Sequence, residues 1–283
     1  MKLKRQKMNK APFIVLILLA SGFGARAQYY FNDIVTNKRV MDDLVKLKEE
    51  KIRAVKVTSL ESDGSESEGF VCRKNINRSY TSMEIYTQTS NSYASFFTSF
   101  FNKEGILEKT TDSSEVSVTT VSYTYDDKGR LGRIYSYTDF AGDDYADDVS
   151  EEHLYHYNEN GMPSQMVLVK NLKDTTTIIF MPDENKNVAI EKNSRTAEIY
   201  YYYYDSRGRV TDIVHSYGLN QKMIPDFRFE YNNAGQVTKM VASEKEGADY
   251  FTWRYNYENG LRTGERCYSR EGKLIGSVEY ENK

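Results

Sequence analysis

The stretch YYYYDSRGR, residues 201–209, runs four tyrosines into an Asp and then a Ser-Arg-Gly-Arg segment. It can be a binding surface, a strand in a sheet, or one copy of a repeat. The rest of the chain favours the repeat. Aligned on the Gly, the sequence reads FFNKEG (100–105), TYDDKG (124–129), HYNENG (156–161), YYDSRG (203–208), EYNNAG (230–235) and CYSREG (267–272). An aromatic residue stands four positions before every Gly: Phe101, Tyr125, Tyr157, Tyr204, Tyr231 and Tyr268. A shifted copy, YNYENG, occupies 255–260, and FMPDENKNV (180–188) fills the slot where a further turn would keep time. Gly105, Gly129 and Gly161 are 24 and 32 residues apart, and Gly208 and Gly235 are 27 apart. Such a spacing holds two strands and two turns.

The residue types explain the spacing. An Asp or Asn after the aromatic, as at Asp126 and Asp205, bonds its side chain to the backbone two residues on and starts a type I turn. The Gly three positions later takes the left-handed conformation that closes a hairpin with a bulge. Gly105, Gly129, Gly161, Gly208, Gly235 and Gly272 are therefore read as structural turn residues. Apolar residues follow two and five after the Gly in GRLGRI, GRVTDI and GQVTKM. A strict strand puts those two positions on opposite faces, so either a bulge resets the register near the Gly or one of them faces the weaker side.

These units resemble YD repeats, Y-x-Y-D-x-x-G-R, of the rearrangement-hotspot toxins and the teneurins. SYTYDDKGRLGRI (122–134) and YYYYDSRGRVTDI (201–213) carry the full pattern. The other copies depart from it, with Asn at 102, 158 and 232 and with Ile106, Met162, Gln236 or Lys273 in place of the Arg. The resemblance covers roughly 95–283 and implies an all-β antiparallel meander of hairpins. It brings no enzyme chemistry, and the copies are too few for the hollow shell of the large family members.

The N-terminus points to export. A basic stretch (Lys2, Lys4, Arg5, Lys7, Lys10) precedes APFIVLILLA and then Ala25-Arg26-Ala27, the layout of a signal peptide over residues 1–27 with cleavage after Ala27. The apolar run is short for a membrane-spanning helix, which needs about 20 apolar residues, and no later segment is apolar enough to be one. The expected location is the periplasm, cell surface or extracellular space. Residues 1–27 hold six of the 38 Lys and Arg and none of the 41 Asp and Glu, so residues 28–283 carry 32 − 41 = −9. That balance argues against nucleic acid as a partner.

Residues 28–283 are expected to form one domain. TNKRVMDDLVKLKEEK (36–51) is the convincing helix, with Val40, Leu44 and Leu47 on one face and Met41 and Val45 beside it. It is expected to pack on the sheet or to plug one end. Leading strands occupy 53–100 and the hairpin repeats 95–283, giving a large curved sheet with open edges. Cys72 and Cys267 then lie near opposite edges, and both are expected to be free thiols.

Each candidate site has a plain structural reading. Alternate members of the run Tyr200–Tyr204 face opposite ways, so three at most share a face, and core or cross-strand packing is favoured over ligand stacking. His153 and His156 in EEHLYHY suggest a metal site with Glu151 or Glu152, but residues three apart in a strand point to opposite faces. AGDDYADD (141–148) offers Asp143, Asp144, Asp147 and Asp148 without the spacing of a calcium loop, and reads as a solvated connection. His215 has no recognisable triad around it. The chain shows no metal, phosphate-loop or cofactor motif and no catalytic signature. The expectation is an exported, non-enzymatic scaffold or binding module, its partner a protein, a glycan or a hydrophobic ligand. A half-barrel carrier of a lipid is the alternative, and a glycan-acting enzyme a weaker one.

Overall fold

The computed structural model describes residues 28–141, 149–217, 222–244 and 247–283. The proposed signal peptide and Asp143, Asp144, Asp147 and Asp148 lie outside them. A π-helical turn, Tyr30–Val35, leads directly into helix α1, Thr36–Glu49. Strands β1 (Ala54–Glu61), β2 (Val71–Ile76), β3 (Ser82–Thr89), β4 (Ser92–Phe101), β5 (Leu107–Ser113), β6 (Ser117–Tyr125), β7 (Leu131–Phe140), β8 (Val149–Tyr157) and β9 (Pro163–Lys170) follow. The chain continues through β10 (Asp174–Pro182), β11 (Val188–Asn193), β12 (Glu198–Tyr204), β13 (Val210–Tyr217), β14 (Ile224–Tyr231), β15 (Val237–Glu244), β16 (Asp249–Glu258), β17 (Leu261–Tyr268) and β18 (Leu274–Asn282).

Each strand pairs antiparallel with its neighbours in sequence, and β1 also pairs with β18 from Val55↔Asn282 to Glu61↔Gly276. The expected open, curved half-barrel is thus corrected: the meander closes into an 18-stranded barrel. Twist accumulates over so many strands that the first and last edges meet, and closure pairs backbone groups that an open sheet would leave exposed. At the seam, the Arg53 and Ala54 N–H groups donate to the Lys283 carbonyl at 2.7 and 2.9 Å, and the Lys283 N–H returns a bond to Ala54 at 2.7 Å.

All the repeat turns but CYSREG lie on one rim, where even-numbered strands hand over to odd ones. In the Asp205 turn, the Gly208 N–H donates to the Asp205 carbonyl and the Asp205 N–H to the Arg209 carbonyl, both at 3.0 Å. Gly208 has φ +73°, a conformation a β-carbon resists. FMPDENKNV forms the same turn on Asp183, with Lys186 in the glycine place at φ 65°. A further turn of this phase, Asn77–Thr81, puts Tyr80 in that place at φ 56°. YNYENG makes a two-residue turn, Asn259-Gly260, on the same rim. CYSREG, although alike in sequence, joins odd β17 to even β18 and so lies on the opposite rim.

The bulge resets the register. Ladder shifts fall at Phe101, Tyr125, Tyr157, Tyr204 and Tyr231. Leu131 and Ile134, two and five after Gly129, are both buried, as are Val210 and Ile213 after Gly208. The interior next to this rim is filled by the N-terminal segment. Phe31 stacks on Phe229 at 5.6 Å and Tyr30 meets Tyr202 edge-on at 5.3 Å. Leu44 and Leu47 of α1 pack with Val55, Ile76, Met83, Phe101 and Leu107. Val45, expected beside the apolar face, is exposed. Among the described residues, no helix is long and apolar enough to cross a membrane.

Candidate functional site

Two polar systems stand out, one along the repeat rim and one beneath it. On the rim, five tyrosines at the hairpin turns each donate to a backbone carbonyl on the preceding strand. The pairs are Tyr125 to Leu107 (2.8 Å), Tyr157 to Leu131 (2.7 Å), Tyr204 to Val188 (2.7 Å), Tyr231 to Val210 (2.6 Å) and Tyr257 to Val237 (2.8 Å). In the first four, the acceptor stands two places after the Gly, or after Lys186, of the preceding turn on that rim. In the fifth, Val237 holds the same place after Gly235.

Asp and Arg complete the motif. Asp205 accepts the N–H groups of Arg207 and Arg209 at 2.9 and 3.0 Å, and its second oxygen accepts Arg209 Nε at 2.7 Å. The Arg209 guanidinium beside Asp205 holds that carboxyl down at about 2. The same guanidinium lies 4.5 Å from the centroid of the Tyr231 ring and donates to the Asn232 carbonyl at 3.1 Å. Asp126, Arg130 and Tyr157 repeat the arrangement, with Arg130 4.2 Å from the ring centroid. Where Gln236 replaces the Arg, its Nε2 reaches the next turn at the Gly260 carbonyl, 2.9 Å away. Asn158 caps its turn through the backbone N–H groups of Asn160 and Met162, and Asn232 adds to its backbone bond a side-chain bond from its Nδ2 to Gln236 Oε1 at 3.0 Å.

Beneath the rim, inward residues of β8, β11 and β12 hold the N-terminal segment. His153 is buried between Asp33 (Nδ1 to Oδ2, 2.5 Å) and Glu151 (Nε2 to Oε1, 2.8 Å), and Lys170 completes the row at 3.1 Å from Glu151. Burial disfavours the imidazolium, but the two carboxylates outweigh it and raise the His153 pKa to about 9. Tyr155 donates to the same Asp33 oxygen at 2.7 Å. Glu191, 1% exposed, accepts the N–H groups of Tyr29 and Tyr30 at 3.0 and 2.9 Å and the Tyr202 hydroxyl at 2.8 Å. Burial pushes its carboxyl up to about 8 against the effect of those donors. Away from the plug the interior is mixed: Ser59, Ser136, Thr176 and the pair His215 and Asp226, 2.8 Å apart, are buried, and so is the apolar cluster of Trp253, Cys267 and Val278.

The tyrosine run divides as strand geometry requires. Tyr200 and Tyr202 are buried, Tyr204 joins the rim ladder, and Tyr203 is exposed. His153 and His156 face opposite sides, one buried and one exposed. Among the described residues, no group of three His, Cys, Asp or Glu side chains has the arrangement to hold a metal ion. Asp33 and Glu191 escaped the sequence reading.

No protein-family model matches the chain, and no curated protein sequence does. Among solved structures, the chain is similar to the Photorhabdus luminescens Tc holotoxin pore carrying a TccC3 mutation, at 14% identity and TM-score 0.33 over 76% of this chain. It is also similar to the TcdB2-TccC3-Cdc42 complex, at 13% identity and TM-score 0.32 over 77% of this chain. The chain spans 12% of the length of each of these toxin chains. A porin-like protein from Bacteroides uniformis matches at 10% identity and TM-score 0.38, over 82% of this chain and 98% of that one.

Proposed function

We propose that this chain is an exported, non-enzymatic barrel scaffold of YD-type hairpins that engages a partner in the periplasm or at the cell surface. The rim carries the reading. The Tyr, Asp, Gly and Arg that recur in the sequence are engaged with one another and with backbone from turn to turn, so the repeat serves architecture. The wall presents exposed side chains such as Tyr93, Phe96, Tyr137 and Tyr203 for contact.

The lipid-carrier alternative needs an unfilled apolar cavity. The plug packs into the apolar clusters around Phe229 and Leu107, and a further cluster of Trp253, Tyr255, Cys267 and Val278 packs on itself with Phe251 and Ile275. Buried hydroxyl and charged groups such as Ser59, Thr176 and Asp226 do not favour an acyl chain. Native mass spectrometry of the chain recovered from an exporting host tests the reading. The expected result is the bare mass of residues 28–283, with no stoichiometric lipid in a chloroform extract. A stoichiometric acyl lipid would make the protein a carrier, and turnover of a polysaccharide substrate would make it an enzyme.

A further inference from the structure

Gln28 is 3% exposed inside the barrel, and its carbonyl accepts the Asn32 N–H at 2.8 Å, so it opens the helical segment. The next two backbone N–H groups, of Tyr29 and Tyr30, both end on Glu191. A group on the nitrogen of residue 28 therefore lies beside this buried carboxylate. The surroundings are rich in acid. Besides burial, Glu151, Glu191, Asp33 and Glu198 all raise the Tyr29 hydroxyl. The local cations are committed: His153 bonds Asp33 and Glu151, and Lys170 bonds Glu151. Among the described residues, no cation pairs with Glu191, whose partners are two amides and the Tyr202 phenol.

A buried carboxylate with only neutral donors lacks the partner that offsets its desolvation. The sequence places a small-residue cleavage pattern, Ala25-Arg26-Ala27, immediately before Gln28. We propose that processing at the Ala27–Gln28 bond creates the missing cation: the α-ammonium of Gln28 seats inside the barrel against Glu191 and locks the N-terminal plug. A signal-type endopeptidase adds water across the peptide bond, Ala27 leaves as a carboxylate, and the freed amine takes up a proton. An ammonium at the start of a helix is repelled by the positive end of the macrodipole, and Glu191 is positioned to outweigh that repulsion. The same pairing keeps the amine protonated, which withholds the lone pair that would attack the Gln28 side-chain amide and expel ammonia to form pyroglutamate.

This inference rests on the export reading, and the experiment separates the two. The chain starting at Gln28 is compared with one that keeps Ala25-Arg26-Ala27, each with and without E191Q, by urea unfolding at pH 7. The three extra residues are expected to lower the folding constant of the Glu191 chain about tenfold more than that of the E191Q chain. Equal effects in both backgrounds overturn the lock. If the E191Q chains do not fold, acylation of the α-amine in the native Gln28 chain gives the answer. Protection relative to the urea-unfolded chain supports the lock, and equal reactivity overturns it. N-terminal sequencing of the chain recovered from an exporting host reads the other premise. A start at Gln28 supports the export reading, whereas retention of residues 1–27 overturns it whatever the cycle shows.

Discussion

The hydroxyl of Tyr204 donates to the carbonyl oxygen of Val188 at 2.7 Å, tying the end of β12 to the start of β11. Val188 is buried, so removing the phenol oxygen leaves its carbonyl short of one donor. Tyr204→Phe is expected to cost about 1–2 kcal/mol, the range for a lost hydrogen bond that strands a partner. Tyr203→Phe, on the exposed outer face one residue away, is expected to change stability by less than about 0.5 kcal/mol. Urea midpoints of both variants check this. Equal midpoints would mean that the ladder does not contribute to stability.

The glycine place of the turn gives a paired prediction of opposite sign. A β-carbon on Gly208 meets only Asn187 Oδ1 at 3.6 Å, an ordinary contact, so the penalty for a side chain there comes from φ +73°. Gly208→Val and Gly129→Val should each destabilise by about 1–3 kcal/mol. Lys186 already bears the strain at φ 65°, which costs an L-residue roughly 1–2 kcal/mol. Lys186→Gly relieves it at the cost of added chain entropy in the unfolded state. A gain of about 0.5–1 kcal/mol is expected in chemical denaturation, and a loss would show that the Lys186 side chain contributes more than its backbone costs.

Local chemistry made the hairpins legible. Asp205, Gly208 and Arg209 act within five residues of one another, and their types announce the turn. The timing of FMPDENKNV announced a turn, but that Lys186, and in its own turn Tyr80, takes the glycine place was not legible, because surrounding hydrogen bonds hold them in a conformation that their side chains do not favour. Closure was hidden for a different reason. The contact of Val55 with Asn282 joins remote ends of the chain, and neither residue carries a mark of its partner. CYSREG shows the limit of a motif: it specifies a turn, while the count of strands before it decides the rim. Asp33, His153 and Glu191 meet only because the plug enters a closed barrel, so no spacing in the sequence relates them.

The His153 pair makes stability pH-dependent with a definite sign. Its folded pKa, about 9, lies above the ordinary value of about 6.5. The stabilisation is therefore complete below about pH 6.5 and disappears as pH rises through about 9. The rise from about 6.5 to about 9 corresponds to about 3 kcal/mol as an upper bound. The difference in unfolding free energy between wild type and His153→Gln should shrink by about 2–3 kcal/mol between pH 6.5 and 9.5. Glu191 is common to both proteins and largely cancels. A difference that stays constant with pH would show that the folded protein holds His153 neutral.

The two cysteines turn closure into a chemical measurement. Cys72 and Cys267 are free and buried, on β2 and β17. Closure brings those strands nearer than an open sheet would, yet β18 and β1 still stand between them. Three inter-strand steps of about 4.8 Å place the two backbones roughly 14 Å apart, well beyond the ~7 Å limit for a disulfide. Thus the expectation of two free thiols stands, although the open sheet that motivated it does not. Burial, with Glu265 and Glu244 nearby, pushes the Cys267 thiol up to about 12, and burial also raises Cys72. The native protein should therefore react slowly with a thiol reagent at pH 8, where an ordinary cysteine is partly thiolate. In urea without reductant, two thiols per chain should react within minutes. Two thiols titrated in urea but none in the native state would support the closed barrel with both cysteines inside. Fast reaction of either thiol in the native protein would place that cysteine on the outer wall, and an absence of reactive thiols in urea would require an arrangement of strands that brings β2 beside β17.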